Sequence, residues 1–320
     1  MKVSFVIPAY NEEKSIERCV KSALMQNYKD LEIIVVDDGS KDRTAEVAKK
    51  LNVRVVRNKK NLGIAESMNR GIKTAKGDFI VTLHADAELI GRNWIRDMLK
   101  IFETDKSICV VTCNRIPKFN KNISPIQKVH LYFGGGYSAS KLKKPTEIYW
   151  LPTRCDMFKR KALEDVNFFD KKFKLSGEDI DISTRLRKKG YKLIFNPNCS
   201  AKIHLSFFQS TFYRILKKRI YFGKVIPSLL MRHSTSLITN KTWFITTVPY
   251  MVYFLLAIFS FFNSASFLLL LLFNFLLSAR IAKVTGLSSF PAAFVLIPIY
   301  TIAWGIGIVY GISLVNKKII

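Results

Sequence analysis

The chain has 320 residues, 49% of them hydrophobic, and its 51 Lys and Arg exceed its 24 Asp and Glu to give a formal net charge of +27. That length buries a full α/β core with material left over, and a charge of this size fits nucleic acid, an anionic membrane surface or an anionic substrate. The five cysteines, Cys19, Cys109, Cys113, Cys155 and Cys199, are odd in number and lack Cys-x-x-Cys spacing, which excludes a disulfide or zinc framework and makes them reduced core residues.

The N-terminus, Met1 to Pro8, carries one charge and a short apolar run with no small-residue cleavage site, so it does not read as a signal peptide. Val3 to Pro8 predicts a buried strand that Pro8 ends, and Glu12 to Met25 an amphipathic helix. Between them Tyr10 offers a flat ring for stacking, and the acidic Glu12 and Glu13 suit the positive end of the helix. Glu32 to Val36 predicts a second strand and Arg43 to Leu51 a helix. Val53 to Arg57 follows as a short strand, Ile64 to Ala75 as a helix and Phe79 to Leu83 as a further strand. This alternation implies a parallel sheet with helices on both faces, whose ligands bind outside the carboxyl ends of the strands. From Val110 to Tyr149 the pattern weakens, and Gly134-Gly135-Gly136 argues for a loop there.

Carboxylates stand at the strand ends. Asp37-Asp38 closes the second strand, where Gly39-Ser40 turns tightly and Ser40 or Asp42 is able to cap the next helix. Two adjacent aspartates at a buried strand end repel unless a ligand or a donor offsets them; Asp38 suits a base N–H or a ribose hydroxyl. After the strand ending at Leu83, extended geometry points His84, Asp86 and Glu88 to one face. Their hard oxygens suit Mg²⁺ or Mn²⁺ at a diphosphate. Further on, Glu178-Asp179 follows Gly177 at the start of a basic helix, where a carboxylate within reach of an acceptor hydroxyl removes its proton as that oxygen attacks a sugar carbon.

Leu205 to Lys241 mixes aromatic and aliphatic residues with Lys and Arg, as a helix in a membrane interface does. From about Trp243 the chain is almost uncharged. Trp243 to Phe262, Ser264 to Ala279 and Phe290 to Val315 approach or exceed the roughly 20 apolar residues that span a bilayer, so three spans are expected, with the stretch Pro298 to Gly307 open to being kinked or re-entrant. Lys217, Lys218, Arg219, Lys224, Arg232 and Lys241 precede the first, and Arg280 and Lys283 separate the second and third. They place these ends, and the part of the chain before them, on the cytoplasmic side of the cell membrane; Lys317 and Lys318 run against that rule. The spans favour a membrane partner over nucleic acid, and no nucleic-acid partner is expected.

Together Val-Ile-Pro-Ala-Tyr-Asn-Glu-Glu, Val-Val-Asp-Asp-Gly-Ser-Lys-Asp-Arg-Thr, Asn61-Leu62-Gly63, Ala75-Lys76-Gly77-Asp78, His84-Ala85-Asp86 and Gly177-Glu178-Asp179 resemble, in order and spacing, the family 2 glycosyltransferases with a GT-A fold. The resemblance covers roughly Met1 to His204. It implies a Rossmann-like α/β domain over residues 1–204, to which the composition and hydropathy add a basic interfacial segment over 205–241 and an all-α transmembrane region of about three helices over 242–320. It further implies inverting transfer from a nucleoside diphosphate sugar to a lipid or lipid-linked acceptor. Pro8, Tyr10, Glu12 and Asp38 would then line the nucleotide pocket, and Asp86 would hold Mg²⁺ or Mn²⁺ at the Asp-x-Asp position. Glu88 and His204 would be further metal ligands, and Asp179 the general base. His84 stands where the motif usually begins with Asp. Gln-x-x-Arg-Trp, usual in processive synthases of the family, does not follow Asp179, which argues for single-sugar transfer over polysaccharide synthesis. A membrane protein that only binds nucleotide is the remaining alternative.

Overall fold

A computed structural model of the chain describes residues 1–119, 124–133, 142–151, 153–205, 212–238, 241–260 and 263–316. The Gly134-Gly135-Gly136 stretch and Lys317 and Lys318 lie outside the described residues. The chain forms two compact units, the first made of residues 1–118 and 138–204, the second of 119–137 and 205–320.

The first unit opens with β1 (Val3–Ala9), α1 (Ile16–Leu24), β2 (Leu31–Asp37), α2 (Thr44–Lys49), β3 (Arg54–Arg57), α3 (Ile64–Thr74) and β4 (Phe79–Leu83). It continues with β5 (Ala87–Leu89), α4 (Trp94–Thr104) and β6 (Ile108–Phe119); α5 (Pro125–Phe133) belongs to the second unit. β7 (Thr146–Glu147), β8 (Cys155–Lys159), α6 (Arg160–Asp165), α7 (Glu178–Lys188) and β9 (Lys192–Leu205) complete the first. One mixed sheet runs β3-β2-β1-β4-β8-β6-β9-β5, with β7 paired to β9. The first four strands are parallel. β8 then runs antiparallel to both β4 and β6, and β5 and β7 antiparallel to β9.

Both faces are covered because the strands are apolar without alternation: Val3 to Ala9 and Ile33 to Asp37 are buried at every position. On one face Val6, Ile34, Ile80, Val110 and Phe158 meet Ala65, Met68 and Ile72 of α3 and Ile182 and Leu186 of α7. Each such large side chain contributes about 1.5–3 kcal/mol on burial. Strand order reverses at β1, which has β2 on one side and β4 on the other. The crevice therefore opens beyond the carboxyl ends of β1 and β4, at Tyr10 and at His84 to Asp86. The expected elements recur within one to four residues at their ends, but the region after Val110, read as patternless, holds the twelve-residue strand β6.

The second unit is helical: α5, then α8 (Phe212–Ile238), α9 (Lys241–Phe259), α10 (Ser264–Thr285) and α11 (Phe290–Asn316). Among the described residues two helices, Ser264–Thr285 and Leu287–Val315, are long and apolar enough to cross a membrane, and Val248–Phe259 is a shorter apolar helix. Pro298 lies inside α11, which is helical throughout the Pro298 to Gly307 stretch. α8 and α11 pack through glycines: a Cβ at Gly223 would stand 2.0 Å from Trp304 O, and at Gly307 2.1 Å from Ile220 O. Small residues let helix backbones approach this closely.

Candidate active site

The two turns that follow β1 and β2 are laced together. Asn11 N–H donates to Ser40 Oγ, Glu12 N–H to Thr44 Oγ1 at 2.8 Å and Glu13 N–H to Asp42 Oδ2, while Lys41 N–H donates back to Asn11 Oδ1. Asn11 takes a positive φ of 55°, which a short amide side chain tolerates. The result is a fixed rim. Pro8 is buried inside β1, one residue short of the strand end at Ala9, so it does not end the strand as expected. Its register neighbour is Val36 on β2, while pairing to β4 stops at Val6, which leaves the missing N–H without a ladder position to break. Tyr10 is 41% exposed on the rim. The Glu12 carboxylate accepts from Ser15 Oγ, and Glu12 O accepts the N–H groups of Ser15 and Ile16, so Glu12 organises the start of α1.

Asp37 and Asp38 are both buried, and protein donors offset their repulsion. Asp37 faces the Arg57 guanidinium at 2.9 Å and accepts Ser40 N–H. Asp38 Oδ1 accepts Asn58 Nδ2 and Leu62 N–H at 2.7 and 2.8 Å, and Oδ2 accepts Gly63 N–H at 2.9 Å. Asp38 thus holds the Asn61-Leu62-Gly63 turn, and Gly63, with φ of 92°, is where a side chain would strike Lys174 O at 2.7 Å. Beside these residues a cavity of about 380 Å³ is lined by Gly39, Ser40, Arg57, Asn58 and Lys59.

His84 to Asp86 is a turn and not the extended segment that the sequence suggested: Ala87 N–H closes back on His84 O at 2.9 Å. His84, Asp86 and Glu88 consequently do not share a strand face. Asp86 is 7% exposed; its Oδ2 takes Arg154 Nη1 at 2.8 Å, and its Oδ1 is buried without a hydrogen-bond partner. Glu88, one strand residue further, bonds His204 Nε2 at 2.5 Å and pairs with Lys202 and Arg18. β5 against β9 sets this meeting, since Glu88 and Lys202 are register partners. Burial works against the charged form of Glu88, but His204, Lys202 and Arg18 outweigh it and hold the carboxyl below its usual range. Burial likewise pulls the His204 imidazole below its ordinary value, opposed by Glu88. Glu88 and His204 are therefore brought together, but onto each other.

Asp179 is the second residue of α7, which starts behind Gly177 with its left-handed φ of 97°. Its carboxylate is half-buried and accepts Ile180 N–H. Glu178, 7% exposed, accepts from Thr153 Oγ1, and Asp181 is paired to Arg185 through two nitrogens. Two consecutive residues ahead of β8 thus span the site: Thr153 reaches Glu178 and Arg154 reaches Asp86. Thr153 has a φ of 50°, unfavourable for a β-branched residue and typical of strain held at functional sites. Arg154 escaped the sequence reading because its partner lies 68 residues away across an antiparallel pairing, and nothing local to Thr-Arg-Cys-Asp announces it.

A divalent metal ion fits this arrangement through Asp86, whose Oδ1 is a buried oxygen without a donor. Among the described residues no three His, Cys, Asp or Glu side chains gather as a ready-made metal cage. The five cysteines are all buried and unpaired with one another.

Comparisons with known proteins agree with this architecture. The chain is 28% identical over 200 residues to the poly-beta-1,6-N-acetyl-D-glucosamine synthase of Staphylococcus aureus, covering 61% of this chain and 48% of that protein. It is 44% identical over 118 residues to the chondroitin synthase of Pasteurella multocida, covering 35% of this chain and 12% of that one. The chain thus matches less than half the length of these curated relatives. Among solved structures, the mannosyltransferase PcManGT from Pyrobaculum calidifontis in complex with GDP-Man and Mn²⁺ aligns over 97% of this chain and 87% of its own, with a TM-score of 0.63 and 17% identity. GalNAc-T7 with UDP, GalNAc and Mn²⁺ aligns over 71% of this chain and 50% of its own, with a TM-score of 0.52 and 20% identity. The model of Glycosyl transferase family 2 matches residues 4–166, half of the chain, and the chain belongs to that family.

Proposed function

We propose that the protein is an inverting glycosyltransferase that moves a sugar from a nucleoside diphosphate sugar to a membrane lipid or lipid-linked acceptor, at the cytoplasmic side of a cell membrane. The observation that carries the reading is the Thr153-Arg154 bridge, which ties the carboxylates of the Asp86 turn to those at the start of α7. Tyr10 and Pro8 flank the base, and Glu12 fixes the turn that presents them. The Asp38 carboxylate has capacity for about four hydrogen bonds and receives three from the protein, leaving a position for a base N–H. A metal ion bound at Asp86, with Glu88 and His204 close by in the chain's fold, would neutralise charge on the diphosphate leaving group. Asp179 takes the proton of the acceptor hydroxyl as its oxygen attacks the anomeric carbon. Tethering such a unit to the bilayer through α10 and α11 raises the effective concentration of a lipid-linked acceptor.

The names of the curated relatives favour a second reading, synthesis of a polysaccharide. The missing Gln-x-x-Arg-Trp motif weighs against it. Release of nucleoside diphosphate from a panel of nucleotide sugars, with Mn²⁺ and lipid acceptors present, tests the enzymatic reading. Wild type is expected to release it and Asp86→Ala is not; equal background in both would remove the proposal.

A further inference from the structure

The second unit contains no Asp or Glu, while Lys and Arg recur through residues 119–137 and 205–320. Within it α5 packs where α10 and α11 join. Val129 of α5 belongs to one buried cluster with Ile281 of α10 and Ala293, Leu296 and Ile297 of α11. A reciprocal cap fixes the start of α5: Ser124 N–H donates to Gln127 Oε1, and Gln127 N–H to Ser124 Oγ. At nine residues α5 is too short to cross a bilayer.

Beside this packing lies a cavity of about 480 Å³. Pro125 and Ile126 of α5 line it together with Pro291, Ala292, Val295 and Leu296 of α11, and Ser124 and Ser288 are its polar members. Ile126 is 53% exposed and Val295 62%, so the groove opens outward along an apolar wall. Lys128 stands at its edge. Its N–H donates to Ser124 O, which sets it one helical turn beyond a lining residue. Its Nζ lies 3.9 Å from where a Cβ on Gly286 would stand, and Gly286 is the residue between α10 and the short turn that carries Ser288. Lys283 occupies the last turn of α10 just before it.

An ammonium at the rim of an apolar groove matches an amphiphile with an anionic head. Hydrocarbon laid in the groove leaves water, and the anion meets the lysine. Charge also selects among lipids. A zwitterionic headgroup brings a cation toward Lys128 and Lys283, with no carboxylate in the unit to receive it; an anionic headgroup brings none.

We infer that this groove binds an anionic membrane phospholipid, one hydrocarbon chain lying between α5 and α11 and the headgroup phosphate on Lys128. The inference rests on α10 and α11 crossing a bilayer and is independent of the sugar-transfer chemistry. The join of α10 and α11 then lies at a membrane surface, where headgroups stand, and the lipid enters from the adjoining leaflet. Bound there, it ties α5 to the crossing helices.

The test is native mass spectrometry of the delipidated full chain in detergent, titrated with phosphatidylglycerol or with phosphatidylcholine of the same chains. Wild type is expected to take up its first phosphatidylglycerol at a concentration roughly fivefold lower than phosphatidylcholine, the effect of about 1 kcal/mol for one lysine. Lys128→Ala should erase that preference. Lys217→Ala, which removes an equal charge from an exposed position on α8, should keep it. Ser288→Trp, which places a ring in the groove from an exposed position, should lose the first lipid of either kind. Equal uptake of the two lipids by wild type would overturn the inference without any variant having to fold. Equal losses in Lys128→Ala and Lys217→Ala, or uptake unchanged in Ser288→Trp, would overturn it too. Displacement of the first phosphatidylglycerol by an equal concentration of a polyprenyl phosphate would assign the groove to another lipid and end the phospholipid reading.

Discussion

Asp38 and Asp86 are both aspartates beyond the end of a buried parallel strand, yet their surroundings differ. Asp38 is held by three donors of the chain and braces the turn into α3, whereas Asp86 keeps one buried oxygen without a donor. Asp38→Ala is expected to leave Leu62 and Gly63 N–H without acceptors, at about 1–3 kcal/mol for each group that stays buried; denaturant unfolding measures it, and an unchanged midpoint would refute the bracing role. Asp86→Ala removes a paired charge and leaves Arg154 alone, so its activity loss has to be read beside its stability. Asp156 gives the pH dependence its sign. Its carboxyl stands at about 7 when folded against an ordinary 3.8, so its contribution is full below about pH 4 and is lost as pH rises through 7. Asp156→Asn is expected to melt above wild type at pH 8, with the difference shrinking toward pH 4; melting below wild type at pH 8 contradicts this. The carboxylates at Asp37-Asp38, Asp86 and Glu178-Asp179 were legible in the sequence because each interrupts an apolar or basic run. Arg154 and Asp156 were not, since both owe their place to the register of β8 against β4 and β6.

Among the elements, β1 to β4 were legible because their apolar runs are unbroken and punctuated by polar turns, while β6 was missed. Its half-buried and exposed positions include Asn114, Arg115 and Lys118, which erase the alternation that marks a strand. The turn at His84 to Asp86 was read as extended for a related reason: apolar Leu83 and Leu89 frame it, and only the His84–Ala87 hydrogen bond distinguishes turn from strand. In the helical unit, Tyr221-Phe222-Gly223 lies in α8. Its glycine meets the Trp304 carbonyl, and Gly307 and Gly311 of α11 meet the Ile220 and Lys224 carbonyls of α8. Gly307→Leu is expected to force these helices apart and to abolish folded, detergent-extractable protein. A variant that extracts and elutes like wild type in size-exclusion chromatography would show that the close packing is dispensable.

At the scale of the whole molecule, the charge is unevenly placed. No Asp or Glu occurs after Asp181, so the part of the chain that carries the apolar helices has basic residues with no acidic ones to balance them. Basic residues near a bilayer attract anionic lipid headgroups at about 1 kcal/mol each. The protein is expected to stay with membranes in high salt and alkaline carbonate and to leave them only with detergent; release by salt alone would show that α10 and α11 do not span. Of the three spans expected from hydropathy, the second and third coincide with α10 and α11, which among the described residues are long and apolar enough to cross a membrane, while residues 261 and 262 of the first lie outside the described residues.

The central claim is transfer of a sugar to a lipid-linked acceptor by the Asp86 and Asp179 site. Membranes containing the protein, given labelled nucleotide sugars and Mn²⁺, should place label in the organic extract, as single-sugar products by mass spectrometry. Asp179→Asn should lower that signal by roughly 10²–10⁴-fold, the usual contribution of a general base, and Asp86→Ala should abolish it. Label found only in a long aqueous polymer, or equal label in all three proteins, would contradict the claim.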